Sequence, residues 1–451
     1  MNSPFNEQKY KGLLEGLEIN EVMFSKLREL ILGSEFYGNK KIKALNKIKS
    51  THKLIDYFDF CSDIVREQKN VISYDLTHTL GNFLHDIEVS ETIEGTRKLA
   101  QNGDFIISRL RSYLKEFAVV QSTNAKQVFS TEYLVYRPKT DKISANTLLV
   151  FCLTDEVQTI LNHSQYGTEH PRFYEFVFNE LPLPDVLFDL DKKINELFKI
   201  AHSKRKYSQT LYRQAEELFL ETIGLQDFKP SKENISIKTL KESFLETGRL
   251  DAEYYQPKYE NYIDLVKNYK NGFELLQNIC NLKDNNFTPE DTKEYKYIEL
   301  ADIGNQGNIR SYITTQGNEL PSRARRKVNT NDVMISSIEG SLQSCALVTE
   351  NYDNALCSTG FYVINSKKIN SETLLVLFKS EIIQNILKQG CSGTILTSIN
   401  KPEFQNIPIP IIDLSTQQQI STLIKESYNL YRESEKLLQE AKEMLEKEIE
   451  K

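Results

Sequence analysis

The chain has 451 residues, with 56 Lys and Arg against 63 Asp and Glu for a formal net charge of −7, and a mean hydropathy of −0.46. That length supports two to four domains of about 150 residues. No run of 18 apolar residues occurs, which excludes a membrane-spanning helix; the charge excludes a surface that is basic throughout, but not a local basic patch for a polyanion. Six scattered cysteines (Cys61, Cys152, Cys280, Cys345, Cys357, Cys391) include no C-x-x-C pair. Met1 to Glu7 lacks a basic and then apolar leader. The expectation is a cytoplasmic protein with reduced thiols.

In chain order, Phe105–Ile107, Phe117–Val120 and Tyr133–Tyr136 are short runs rich in β-branched and aromatic residues and read as strands. A helix is predicted over Leu148–Leu161, where apolar residues recur at three and four. A loop containing Gly167 follows. The exit Leu181-Pro182-Leu183-Pro184 lacks two amide donors and favours an extended path. A long amphipathic helix then runs over 192–222, with Ile194, Leu197, Ala201, Ser208, Leu211, Ala215 and Leu218 stepping by three, four or seven. Further on come strands Val333–Ile335, Cys345–Val348 and Phe361–Ile364, a helix over Leu374–Leu387, a loop with Gly393, and the exit Ile407-Pro408-Ile409-Pro410. A second long helix over 418–448 carries Ile420, Leu423, Ser427, Ser434, Leu437, Ala441 and Met444. The steps in both helices are those of a coiled coil, and the small Ala and Ser positions allow close approach.

The second series repeats the first. Gln158 maps to Gln384, an offset of 226 (384 − 158), which also carries Gly167-Thr168 onto Gly393-Thr394 and one exit onto the other. Ser108 maps to Ser336 at 228 (336 − 108), so a small loop indel separates the two stretches. Gly33-Ser34-Glu35-Phe36-Tyr37 echoes Asp251-Ala252-Glu253-Tyr254-Tyr255. A unit this long is a whole domain rather than a solenoid repeat of about 20–50 residues. The expected fold is α+β: tandem duplicated α/β domains at 1–186 and 227–412. Each precedes one helix of an antiparallel two-helix coiled coil, at 187–226 and 413–451. Two similar domains imply two similar binding events.

The order globular half, helix, globular half, helix, together with Arg249-Leu250-Asp251-Ala252-Glu253-Tyr254-Tyr255, Gly393-Thr394, Ile407-Pro408-Ile409-Pro410 and Gln417-Gln418-Gln419-Ile420, resembles the DNA-specificity (S) subunit of type I restriction-modification enzymes. In the first half Asp191-Lys192-Lys193-Ile194 replaces the Gln-rich helix start. The resemblance implies two target-recognition domains for double-stranded DNA held apart by the coiled coil, two modification (methyltransferase) subunits on those helices, and restriction subunits (translocase/endonuclease) that join later.

No catalytic signature is legible. The chain has no phosphate loop, no G-x-G-x-x-G, no H-E-x-x-H and no G-x-S-x-G. It also lacks an N-P-P-[YF] amino-methyltransferase motif, and its six His show no metal-ligand spacing. This agrees with a reader that is not itself an enzyme and holds no cofactor or metal. S-adenosylmethionine, ATP and Mg are expected on the partner subunits.

Reading duplex DNA needs phosphate contacts for position and base-edge contacts for sequence. In the first half the candidates are Arg109, Arg111, Tyr113 and Lys115, directly after the first strand, and Tyr166, Thr168, His170 and Arg172 in the loop before the exit. Their counterparts in the second half are Ser341 and Gln343 in the turn Glu339–Gln343, and Ser392, Thr394, Thr397 and Lys401. Charge differs while the flanking apolar residues match, as expected of two domains reading different sequences. Arg323, Arg325, Arg326 and Lys327 form a cluster read as phosphate-facing, and Gly167 and Gly393 are expected to serve the backbone. The seam residues Ile194, Leu197, Ala201, Leu211, Ala215, Leu218, Ile420, Leu423, Leu437, Ala441 and Met444 are the expected partner interface. Two other readings stay open: a stand-alone DNA-modifying enzyme, and a coiled-coil scaffold whose domains bind something other than DNA.

Overall fold

A computed structural model describes residues 22–28, 31–226, 228–393 and 397–451. The chain divides into two compact units, one from residues up to 204 together with 433–451, the other from 205–432.

In the first unit, β1 (Phe58–Cys61) leads to a ring of three mutually paired strands. These are β2 (Ile64–Tyr74), β3 (Ser90–Leu99) and, later in the chain, β6 (Lys126–Phe129). Strands β2 and β6 run parallel; the other two pairings are antiparallel. Strands β4 (Phe105–Ser108), β5 (Phe117–Val119) and β7 (Tyr133–Pro138) join β1 in an antiparallel sheet of order β1-β7-β4-β5. Period-two alternation assigns each side chain to a face. Phe105, Ile107, Phe117, Leu134 and Tyr136 pack on the helices, while Ile106, Ala118 and Val135 pack with Ile72, Tyr74 and Phe129 of the ring.

The second unit repeats the plan. Strand β10 (Phe273–Leu275) pairs with the exit strand β21 (Pro408–Pro410). The antiparallel sheet is β11 (Cys280–Leu282), β18 (Phe361–Ser366), β15 (Val333–Ser336) and β16 (Cys345–Leu347). Where the first unit has the single strand β3, the second has two. Strand β13 (Ile313–Gln316) pairs with β12 (Glu294–Ile298), and β14 (Ala324–Lys327) pairs with β17 (Leu356–Ser358). The parallel pair is kept, with Ile298 opposite Cys357 as Tyr74 is opposite Phe129.

The helix expected over Leu148–Leu161 is two helices, Ala145–Leu153 and Asp155–Asn162, and that over Leu374–Leu387 is Ser371–Lys379 and Glu381–Gly390. The breaks fall at Thr154 (ψ 151°) and Ser380 (ψ 148°). Each hydroxyl donates to a carbonyl three residues back, at 2.7 and 2.6 Å. Short hydroxyl side chains compete with the helix ladder in this way. The repeated Gln158 and Gln384 then donate to Cys152 O and Phe378 O, both at 2.6 Å. The two glutamines that announced the duplication satisfy carbonyls freed by the break.

The long helices span Val186–Thr222 and Leu414–Ile449. Within each unit their segments run antiparallel. In the first, Ser434 Oγ donates to Ala201 O (2.7 Å) and Lys204 pairs with Glu433 (2.6 Å). In the second, Ser427 Oγ donates to Ser208 O (2.8 Å) and the Arg205 guanidinium lies 3.6 Å from the Tyr431 ring centre. Serine at these buried layers keeps the backbones close and satisfies its own hydroxyl across the seam. The most buried row is Ile194, Phe198, Ala201, Arg205, Ser208, Tyr212, Ala215, Phe219 on one helix and Ile420, Ile424, Ser427, Ser434, Leu438, Ala441, Leu445 on the other. Leu211 is also buried, whereas Leu197, Leu218, Leu423, Leu437 and Met444 are half-buried beside that row.

The Gln-rich start missing from the first half has a substitute. Asp191 Oδ1 accepts the backbone N–H of the helix-capping Ser144 (2.7 Å), and Gln417 Oε1 accepts that of the capping Asn370 (2.9 Å).

Candidate nucleic-acid interface

After β4 and after β15 the chain makes a seven-residue loop, 109–115 and 337–343. Each is closed by a backbone bond: Ser108 N–H to Glu116 O at 2.9 Å, and Ser336 N–H to Ser344 O at 3.2 Å. Ser108 Oγ and Ser336 Oγ start the loops by accepting the N–H two residues on, at 3.2 and 3.1 Å.

Each loop is stitched to a small hairpin. In the first unit the hairpin is β8 (Gln165–Tyr166) with β9 (Arg172–Phe173); in the second, β19 (Cys391–Ser392) with β20 (Ser398–Ile399). Three contacts recur in register. Leu110 bridges Arg172, and Ile338 bridges Ser398. Phe173 N–H donates to Arg109 O (3.1 Å), and Ile399 N–H to Ser337 O (2.9 Å). Arg111 N–H donates to Pro171 O (2.8 Å), and Glu339 N–H to Thr397 O (3.0 Å). Two segments about 60 residues apart in sequence thus form one ledge in each unit.

On the first ledge, Arg109, Arg111, His170 and Arg172 come together. Arg172 grips the Glu132 carboxylate with two bonds of 2.9 and 2.6 Å, and Arg109 approaches the same group at 3.9 Å. The Arg172 bonds hold the Glu132 carboxyl below the usual carboxylate range. Arg111 reaches Glu169 O and His170 Nδ1, at 3.5 and 3.3 Å. Arg111 (φ +47°) and Lys115 (φ +54°) both hold left-handed backbone, unusual for residues with a Cβ and common at binding sites. Burial, and then Lys442, push the Lys115 ammonium down from its ordinary range. Tyr113 and Tyr166 are exposed, Tyr166 with its ring centre 4.7 Å from that of Tyr174; Thr168 is exposed at the hairpin tip. Gly167 needs φ +85°, and a Cβ there would meet His170 O at 3.3 Å; Gly393 needs φ +129°.

The second ledge carries little charge. Ser341 Oγ faces Ser336 Oγ at 3.0 Å, and Gln343 and Ser392 are exposed. Thr397 joins the ledge through its carbonyl, and Thr394 lies outside the described residues. Lys401 ion-pairs with Asp284.

In the cluster Arg323, Arg325, Arg326 and Lys327 each side chain has a different partner. Strand β14 disperses it. Arg323 pairs with Glu299 (2.7 Å) and Tyr297; Arg325 donates to Ser322 O (3.0 Å); Arg326 donates to Asp284 O; Lys327 lies over the Phe287 ring. Adjacent strand residues point to opposite faces, so closeness in sequence did not mean closeness of charge.

Two side chains hold the ledges in roles not read from the sequence. Glu132 is one, although the repeat carried a signal. Glu132 aligns with Gly360 and Arg172 with Ser398, so carboxylate and guanidinium are absent together in the second half. Arg249 is the other. It donates to Cys391 O (2.8 Å), approaches Gln389 O and Gly390 O, and pairs twice with Asp251. Its guanidinium lies 4.3 Å from the Tyr254 ring centre. The Arg249–Tyr255 motif therefore seats the hairpin of the second ledge.

Residues 266–443 match the family model described as "Type I restriction modification DNA specificity domain". Over those residues the chain is similar to a type I DNA specificity domain. The match bears out the resemblance drawn from the residues. No curated protein matches the sequence. Among solved structures, the HsdS subunit from Thermoanaerobacter tengcongensis is 16% identical, with 88% of this chain and 96% of that one covered and a TM-score of 0.27. The type I restriction-modification S subunit from M. genitalium is 10% identical, covering 88% and 94%, with a TM-score of 0.39. A chain described as "Structural basis underlying complex assembly and conformational transition of the type I R-M system" is 16% identical, covering 87% and 96%, with a TM-score of 0.28. Among the described residues no group of three or more His, Cys, Asp or Glu could hold a metal ion, and no helix is long and apolar enough to cross a membrane.

Proposed function

We propose that this chain is the non-catalytic DNA-reading subunit of a type I restriction-modification complex, working in the cytoplasm. It reads a bipartite, asymmetric double-stranded site, one half-site per ledge, with an unread spacer between them. The long helices recruit two modification subunits, which carry S-adenosylmethionine; restriction subunits with ATP and Mg join the assembly. One observation carries this reading: three backbone contacts that stitch loop to hairpin recur in both ledges, while the side chains are cationic in one and include no Lys or Arg in the other. A constant frame presenting different side chains is what two readers of different sequences require. Phosphate contacts then set register, and loop side chains set base choice.

The test is exchange of residues 1–186 for the matching part of a relative with a different target, followed by methylome sequencing of a host that also carries the modification subunit. One half of the methylated motif changes and the other stays. Both halves changing, or neither, overturns the modular reading.

A further inference from the structure

Each recognition loop ends on a carbonyl that the fold holds in place, and the two units do so with unrelated side chains. In the first, Lys115 O accepts from Asn82 Nδ2 at 2.9 Å, and the same amide also reaches Phe117 O at 3.2 Å. In the second, Gln343 O accepts from Lys379 Nζ at 2.9 Å. Lys115 and Gln343 are the same loop position, offset by 228 (343 − 115).

The donors share no ancestry of position. Asn82 follows β2, with φ +66° and 8% exposure. Lys379 ends the helix Ser371–Lys379, also at 8% exposure, and the first repeat has Leu153 at that place (379 − 226). The acceptor stayed while the donor moved. Bringing a lysine amine out of water to reach one neutral carbonyl is costly. It is placed in a small cavity of about 190 Å³ lined also by Glu216, Phe219, Leu220, Val376, Ser380 and Glu381. Burial lowers the proton affinity of Lys379 and raises that of Glu216. A second tie, Gln384 Nε2 to Leu342 O at 3.0 Å, sits one residue earlier. The other end of each loop is already fixed by the hairpin stitching, so the clamp on the exit carbonyl secures the opposite end.

We infer that Asn82 and Lys379 are positioning residues for sequence reading: each clamps the exit carbonyl of its own loop and thereby sets which base edges that loop reaches. The inference rests on the DNA-reading function proposed above.

The experiment uses the full chain co-expressed with its modification subunits, with methylome sequencing and a thermal melt of each purified complex. Lys379→Met keeps the stem and removes the donor; Asn82→Gly keeps the left-handed backbone and removes the amide. Lys379→Met is expected to relax discrimination roughly tenfold at one or more positions of the half-site read by the second repeat, the scale of one weakened base contact. The other half-site stays unchanged. Asn82→Gly gives the mirror result, and Lys379→Arg, which restores a donor, recovers the original motif. Folded variants that lose melting temperature and total methylation but keep both half-sites intact overturn the inference, as does relaxation of both half-sites together. Should Lys379→Met not fold, Lys379→Gln, polar but too short to reach, is read in the same way. A wild-type complex that methylates no bipartite motif refutes the underlying DNA-reading function instead.

Discussion

Glu132 sets the charge of the first ledge, and Glu132→Gln separates its two roles. The carboxylate takes two bonds from Arg172 and lies 3.9 Å from Arg109. All three side chains remain about a quarter to a third exposed, so the pairing contributes only about 1 kcal/mol to stability after solvent screening. Because the folded carboxyl titrates below its ordinary range, that contribution is present above the ordinary carboxylate pKa and is lost as pH falls through the folded value. Glu132→Gln therefore removes part of the acid limb of the stability profile and little else. Its effect on DNA is larger. Two guanidiniums against one carboxylate leave one net cation, and the substitution leaves two. One added phosphate contact steepens the salt dependence by about 0.9, which is a factor of about 3.5 between 50 and 200 mM salt. Non-specific affinity at low salt rises, while discrimination in the first half-site falls as Arg172 loses its orientation. Gel shifts across a salt series on specific and random duplexes measure both. An unchanged salt slope would refute the reading that Arg109 and Arg172 face the DNA.

Arg249→Met releases the Cys391 carbonyl and the Asp251 pair, with an expected loss of about 2 kcal/mol and of reading in the second half-site only; denaturant melts that match wild type would sink this. Ser427→Leu forces a branched side chain between helices that approach through Ser208, at about 1–3 kcal/mol, whereas Ser427→Ala loses about 1 kcal/mol. Equal melting temperatures for the two would show that the seam is not close-packed there. Lys41, buried against Phe36, has its ammonium pushed down to about 7 by burial. Between about 7 and the usual lysine range the unfolded chain binds the extra proton, so stability rises with pH through that window. Lys41→Met raises stability at neutral pH and flattens the rise; a melting temperature that climbs between pH 7 and 10 as in wild type contradicts it.

The repeat, the strands around Ser108 and Ser336, the Pro-rich exits and the two long helices were legible in the sequence. Each rests on a local periodicity or on a copy of itself elsewhere in the chain. The seam was legible only to within one residue. Leu197-Phe198, Leu218-Phe219, Leu423-Ile424, Leu437-Leu438 and Met444-Leu445 are adjacent apolar pairs, and period alone does not say which member faces inward. The helix breaks at Thr154 and Ser380 were missed because apolar spacing continues across them. The basic residues at 323–327 are contiguous in sequence, but their separate partners were not legible there. What the sequence determined by itself is a duplicated α+β chain with two long helices and loops that differ between copies. Only the tertiary structure decided that Arg172 faces Glu132, that Arg249 holds Cys391, and that Asn82 and Lys379 hold the equivalent carbonyls of Lys115 and Gln343. Those partners lie between about 30 and 140 residues apart, and a hydrogen bond depends on distance and angle in space, which no periodicity along the chain encodes.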